Sequence, residues 1–238
     1  MQVLPPDKDP MGTAIREYHK TGKAGKLRVL SSMFDEDEIP VAHLFRKQEE
    51  MSPLERKALS MARGRILDVG AGAGCHSVLL EDVTAIDISP LSCEVIQERG
   101  VKSVQNINLF DERLTGPFDT ILMLMNGTGI IGKLKNMPDF LTRIRKLLAK
   151  GGQLLVDSSD LKYLYENEDG TYDIDPFGNY YGEIDYQMVY KNVKGEPFDW
   201  LYVDFETLRM ISENNGFICY KVLEGDHYDY LAKISIKV

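Results

Sequence analysis

Apolar positions along the chain fall into two kinds of pattern. Short continuous runs occur at Ile66-Leu67-Asp-Val69, Val83-Thr-Ala-Ile86, Ile121 to Met125 and Leu154-Leu-Val156, as expected of parallel strands covered on both faces. Between them, apolar residues recur at helical spacing: Leu54, Ala58, Met61 and Ala62, then Phe140, Leu141, Ile144, Leu147 and Leu148, then Phe205, Leu208 and Ile211. Local signals fix the boundaries. Ser52-Pro-Leu-Glu55 is a capping box with proline at the first helical position, and Gly64 ends that helix. Ser89-Pro90 opens a helix that closes at Gly100, and Asp204 caps one ending at Gly216. A helix from about Met137 to Ala149 stops at Lys150-Gly-Gly152, with Arg143, Arg145 and Lys146 expected on its solvated face. Further strands are expected over Lys102–Ile107, Gln153–Asp157, Phe217–Leu223 and Tyr230–Val238. Strands alternating with helices predict an α/β domain with a largely parallel sheet.

Two segments stand outside this alternation. Residues 1–51 begin with Pro5, Pro6 and Pro10, continue with a short helix over Thr13–Lys20, and are interrupted by Gly22 and Gly25. They read as an N-terminal arm or lid preceding a domain over 52–238. The acidic run Asp35–Glu38 is expected to be a solvated turn. Tyr18, His19, Phe45 and Arg46 either line a substrate pocket or pack the arm. Residues 161–200 hold seven tyrosines, an alternating strand pattern over Glu183–Tyr190 and a turn at Lys194-Gly195, and read as an inserted hairpin or flap over the acceptor site. Its tyrosines either wall a ligand site or pack the flap or a dimer surface, which leaves a homodimer open.

The stretch with the most chemical content is Arg65-Ile-Leu-Asp-Val-Gly-Ala-Gly-Ala-Gly74. A buried strand runs into a loop with glycine at every second position, where the backbone can approach a ligand without an intervening side chain. A helix from about Cys75 to Glu81 is expected to follow and to turn its N–H groups and positive dipole end toward the same space. A dinucleotide fingerprint, G-x-G-x-x-G, would place its third glycine where Cys75 stands. The pattern here, two apolar residues followed by Asp-x-Gly-x-Gly-x-Gly, resembles the first motif of the class I, Rossmann-like S-adenosylmethionine-dependent methyltransferases.

That resemblance implies an α/β fold: a seven-stranded, mostly parallel sheet in the order 3-2-1-4-5-7-6, sandwiched by helices, with the hairpin or flap inserted after strand 5. It implies S-adenosyl-L-methionine as cofactor and S-adenosyl-L-homocysteine as product. Asp68 with the backbone of Gly70, Ala71, Gly72 and Gly74 would surround the amino-acid half. Asp87 ends the second strand, where a carboxylate's two acceptor oxygens suit the ribose diol; the other role, helix capping, is already filled by Ser89. By position in the resemblance, Asn108 receives the adenine amino group. Ile88 and Leu109 either sandwich the base or belong to the core. Met125 ends the fourth strand beside the cofactor. Asn126, in the loop Asn126-Gly-Thr-Gly129, either touches the methionine moiety and orients the acceptor or forms an Asx-type turn. His227, between the last two strands, is the titratable group for deprotonating an acceptor or else a surface histidine. Asp157, Ser158 and Asp160 end the fifth strand and face the reaction side. No cluster has metal-ligand spacing, and no metal is expected.

Composition narrows the acceptor. A net charge of −9 with no basic run argues against nucleic acid as partner, and the absence of an Asn-Pro-Pro-aromatic motif argues the same way. A small-molecule acceptor follows. Three scattered cysteines suit a reducing cytoplasm, and neither a spanning segment nor a signal peptide is legible. Two other classes stay open at this point: a nicotinamide-dependent oxidoreductase, whose glycine pattern would differ, and a non-catalytic nucleoside-binding or scaffold protein on the same fold.

Overall fold

The computed structural model describes residues 2–175 and 177–237. In chain order the elements are α1 (Pro10–Thr21), β1 (Leu27–Leu30), β2 (Asp37–Ile39), α2 (Pro53–Met61), β3 (Ile66–Val69), β4 (Val83–Asp87), α3 (Pro90–Glu98), β5 (Ser103–Asn106), β6 (Phe118–Met123), α4 (Met137–Leu147), β7 (Leu148–Ser159), β8 (Glu183–Tyr190), β9 (Val193–Lys194), β10 (Phe198–Leu201), α5 (Phe205–Asn214), β11 (Phe217–Glu224) and β12 (Asp229–Ile236). The last residue of the final predicted strand, Val238, lies outside the described residues.

The main sheet has the order β5-β4-β3-β6-β7-β12-β11. Strands β5 to β7 are parallel, while β12 runs antiparallel to both β7 and β11. This is the strand order expected from the glycine-loop resemblance. Leu67, Ile121 and Leu154 on adjacent central strands are fully buried, and Phe140, Leu141 and Ile144 of α4 join the same core. Leu54 and Ala58 of α2 pack on the opposite face with Ile66, Leu122 and Leu155. Continuous apolar runs in the middle strands are the consequence of cover on both sides.

One connection differs from expectation. Instead of a helix over Cys75–Glu81, the chain makes only a 3-10 turn, Ser77–Leu79, before entering β4. The reason is distance. The loop must return along the length of β3, about 13 Å at 3.3 Å per residue. A helix made of the whole segment between Gly74 and Val83 would span only about 12 Å at 1.5 Å per residue, leaving nothing for the turns. No helix dipole faces the glycine loop from this connection, so the electrostatic contribution expected there is absent.

Two smaller differences have physical causes. β7 begins at Leu148 rather than Gln153, because the Gly151-Gly152 segment is carried inside the strand with a shift of register against β6. Arg143 is not simply solvated: its guanidinium donates to the carbonyls of Leu109, Asp111 and Leu114, tying the loop after β5 to α4. Arg145 stays exposed as expected, with its guanidinium over the Phe217 ring.

The arm and the insertion meet. β1 pairs antiparallel with β2 and with β8, and β8 pairs with β9 and β10, so residues from both segments form one small sheet. β2 overlaps the second half of the acidic run read as a turn, which is strand from Asp37 onward. Tyr190 of β8 is fully buried beside Ala14, Leu27 and Val41, and its hydroxyl accepts the Gly25 N–H at 2.8 Å. Tyr18 packs on Phe45, Arg99 lies over Phe45, and His19 reaches Glu98 at 3.0 Å. These contacts hold the arm against α3.

The small sheet docks on the main one through β10. Trp200 lies against Gly129 so closely that a Cβ built there would fall 1.8 Å from its ring. Nearby, Thr128 Oγ1 donates to the Leu201 carbonyl at 2.9 Å. A Gly129→Ala variant should therefore lose about 1–3 kcal/mol of stability by overpacking. Trp200 is the chain's single tryptophan, so red-shifted emission at temperatures where the main domain stays folded would report the displaced ring. Unchanged emission and midpoint would contradict this docking.

Candidate functional site

The carboxyl ends of β3, β4, β6 and β7 converge with the glycine loop. Gly70, Gly72 and Gly74 all have positive φ, between 57° and 79°, a region that side-chain-bearing residues rarely enter. Their surroundings differ. A Cβ on Gly70 would meet Ile130, and one on Gly74 would press on Ile96 of α3, whereas one on Gly72 would meet nothing within 4 Å. Gly74 thus serves packing, and Gly72 faces open space. The Gly70 and Ala71 N–H groups donate to the Ile86 carbonyl, which sets the loop across the end of β4.

Asp87 sits beside that open face. Its Oδ2 accepts the Gly72 N–H and its Oδ1 the Ser89 N–H, each at 2.8 Å. A carboxylate has about four acceptor positions, so two remain for hydroxyl donors. Ser89, as expected, caps α3 through the Ser92 N–H. Burial pushes the Asp87 carboxyl up to about 6, against the pull of the Ser89 and Gly72 N–H groups. Asp9 of the arm adds to this rise. Its buried carboxylate accepts the Ser89 hydroxyl and caps α1 at Gly12. The arm touches the site once more where the Leu4 N–H donates to the Ile88 carbonyl at 2.9 Å.

Asp68, at the end of β3, is buried and accepts the Ser77 hydroxyl at 2.5 Å. Burial raises its pKa while His76 and Ser77 hold it back. Next to it lies a buried ionic cluster that sequence reasoning missed. Glu55 Oε1 takes a hydrogen bond from Arg46 and lies 2.7 Å from His76 Nε2, while its Oε2 accepts the Ser52 N–H. Burial opposes these charges. The hydrogen bonds from His76 and Arg46 nevertheless hold Glu55 below the usual carboxylate range, and those with Cys75 and Glu55 hold His76 well above its ordinary value. The capping box was legible as a helix start. Nothing in the spacing showed that its glutamate also receives two cations from distant segments.

Asn108 Oδ1 accepts the Phe110 N–H at 2.8 Å, forming an Asx turn after β5. Leu109 is part of the main core, and Ile88 is half-buried at the mouth. At the end of β6, Met125 and Asn126 are both left-handed, with φ of 68° and 56°. Asn126 Oδ1 accepts the Ser159 hydroxyl at 2.8 Å. Asp157 accepts the Met125 N–H on Oδ2 at 3.1 Å and the Gly127 N–H on Oδ1 at 3.0 Å. Its burial pushes the carboxyl up to about 6. Among the described residues no three His, Cys, Asp or Glu side chains gather in a metal-ligating group. His227 lies on the exposed tip between β11 and β12, where its N–H donates to Asp229 Oδ1. Structure thus brings Asp68, the glycines, Asp87 and Ile88 to the ends of neighbouring strands, sets Met125 and Asn126 beyond β6, and leaves His227 at the rim.

Strand order, the reversed last hairpin and the Asp-x-Gly-x-Gly-x-Gly turn together define a class I, Rossmann-like methyltransferase fold. A family profile described as a methyltransferase domain matches residues 67–156. The chain is also 56% identical to an S-adenosylmethionine-dependent methyltransferase from Bacteroides fragilis, solved in complex with S-adenosyl-L-homocysteine. That similarity covers 100% of this chain and 98% of the other, with a TM-score of 0.94. The chain belongs to the S-adenosylmethionine-dependent methyltransferases. It shares the fold alone with the CcbJ methyltransferase of Streptomyces caelestis, at 11% identity over 96% of this chain and 98% of that one, TM-score 0.62. The same holds for a methyltransferase from Clostridium acetobutylicum ATCC 824, at 14% identity over 80% and 94%, TM-score 0.57. No curated protein matches the chain. No helix among the described residues is long and apolar enough to cross a membrane.

Proposed function

We propose that this methyltransferase acts on a small-molecule acceptor held between the loop after β6 and the small sheet. The observation that carries this reading is the cover over the carboxyl edge. β10 is docked on Gly129 through Trp200, and Tyr163 of the insertion stacks on Tyr228 of the last hairpin at 4.5 Å between ring centres. An edge roofed by the chain's own segments suits a compact acceptor, and the net charge of −9 repels polyanions. The arm over 1–51 and the insertion over 161–200 together act as the lid, since β1 and β8 share one sheet.

The residues fit the cofactor. Gly72 leaves room where a Cβ would project into open space, and Asp87 has acceptor positions to spare for the two ribose hydroxyls. In this reading the backbone of Gly70, Ala71, Gly72 and Gly74 with Asp68 holds the amino-acid half. Ile88, Leu109 and Asn108 border the base, and Met125 borders the methionine chain. The cofactor, when bound, supplies a methyl group already activated by its sulfonium. What remains for the protein is alignment of the acceptor and exclusion of water. Asn126 orients the acceptor, and His227 at the rim takes a proton that the acceptor sheds.

Incubation with methyl-labelled S-adenosylmethionine and a deproteinised small-molecule extract should move label into a low-mass product. The same incubation with ribosomes, tRNA or denatured protein should not. Label appearing only in macromolecules would refute the small-acceptor reading, with the family assignment intact.

A further inference from the structure

Two consecutive non-glycine residues in the left-handed region, Met125 and Asn126, cost on the order of 1–3 kcal/mol each and persist only where the surroundings over-determine them. The surroundings here are the last three residues of β7. Asp157 receives the N–H groups on either side of Asn126, from Met125 and Gly127. Ser158 Oγ pairs with the Thr128 hydroxyl at 2.7 Å, donating to it while Thr128 donates to Leu201, and receives the Val203 N–H at 2.9 Å. Ser159 donates to Asn126 Oδ1. Three successive side chains thereby fix the bent loop beyond β6 and the point where the insertion returns to the main domain. On its other flank Gly127 packs so closely on Met123 that a Cβ there would fall 2.7 Å from the Met123 Cβ.

We propose that Asp157 is a positioning residue for methyl transfer: its ionised carboxylate clamps the Met125–Gly127 backbone in its left-handed form and so sets Asn126 and the adjoining acceptor wall. The proposal rests on the reading of the site given above. An unpaired aspartate at this depth would be a liability, since burial disfavours its charge. Two backbone donors in a concave turn are the compensation, an anion nest filled by the protein's own carboxylate. The charged group facing Asp157 from α2 is Glu55, which is itself neutralised by Arg46 and His76. Protonation of Asp157 removes the charge that holds both amides at once. Folding stability and transfer then move in opposite directions. The folded carboxyl titrates above its ordinary 3.8, so folding gains as pH falls. Transfer declines over the same range.

The test compares the wild type with Asp157→Asn, an isosteric change that keeps one acceptor and turns a donor toward a donor. Nitrogen-15 spectra of the S-adenosylhomocysteine complex should show the Met125 and Gly127 amides titrating together near pH 6 in the wild type, and not in the variant. At saturating S-adenosylmethionine, label transfer into the small-molecule extract should fall at least tenfold in Asp157→Asn, with affinity for S-adenosylhomocysteine within about threefold. Wild-type Met125 and Gly127 amide protons without the downfield shift of a carboxylate hydrogen bond at pH 7.5, or a variant with undiminished transfer, would overturn the proposal. The first of these outcomes is decisive even if the variant fails to fold. A wild type that binds no S-adenosylhomocysteine would instead refute the cofactor reading on which the clamp depends.

Discussion

Asp87→Ala should lose S-adenosylhomocysteine affinity by two to four orders of magnitude in calorimetry. Each hydrogen bond to a charged acceptor contributes about 1.5–3 kcal/mol, and in the proposed binding mode the ribose diol donates two, which converts to roughly 10²–10⁴-fold. The substitution also strips the acceptor from the Gly72 and Ser89 N–H groups, so the loop loses its anchor together with the sugar. Asp87→Asn, retaining one acceptor, should fall between alanine and wild type. Gly72→Ala should weaken binding as well while leaving the core intact, because its Cβ projects into open space rather than into packed side chains. pH adds a separate signature. Since the Asp87 carboxyl titrates at about 6, affinity should decline below that value by up to tenfold per unit. Its effect on folding has the opposite sign: a carboxyl raised above its ordinary 3.8 favours the folded state most at low pH, and this contribution is lost as pH rises through 6. An Asp87→Ala protein with wild-type affinity would remove the carboxylate from the sugar site.

The largest effect on stability is expected from Glu55→Ala. The glutamate side chain is nearly inaccessible and is shared by Arg46 and His76, whose side chains are as deeply buried. Removing it strands two cations and costs about 3–5 kcal/mol, a fall in midpoint of roughly 6–20 °C for a chain of this size. The capping-box partner of Ser52 goes with it. Direction of the pH dependence follows from the two shifts. Glu55 is held below its ordinary 4.5, so its contribution is full above 4.5 and is lost as pH falls further. His76 is held above its ordinary 6.5, so its contribution is full below 6.5 and is lost as pH rises past it. The stability gap between wild type and Glu55→Ala should therefore be widest between pH 4.5 and 6.5 and narrow on both sides, measured by denaturant unfolding. A gap that stayed constant across that range would show that packing, and not charge, is what Glu55 provides.

Both predictions concern contacts at different distances along the chain, and this difference governs what the residues revealed. Asp87 and Gly72 lie on one strand–turn–strand unit, and their meeting is set by short connections, so the residue pattern placed them together. Arg46, Glu55 and His76 lie on three different elements. Arg46 reads in the sequence as a pocket-lining or arm-packing residue because its partner is chosen only when the end of the arm, α2 and the glycine loop are stacked. The helix expected after Gly74 failed for the same reason: periodicity cannot register how far the chain must travel before the next strand begins.

By itself, the sequence determined the alternation of buried strands and amphipathic helices, the positive-φ glycine turn after β3, the caps at Ser52, Ser89 and Asp204, and the carboxylate at the end of β4. Each depends on backbone geometry or hydrogen bonds within a few residues, which spacing records directly. Tertiary structure alone decided that β1 and β8, more than 150 residues apart, share one sheet, that Trp200 closes on Gly129, and that Asp157 turns its two oxygens to the amides of Met125 and Gly127. Those pairings are selected by which surfaces remain unburied once the sheet has formed, and many residues of the same type would satisfy the local pattern equally well.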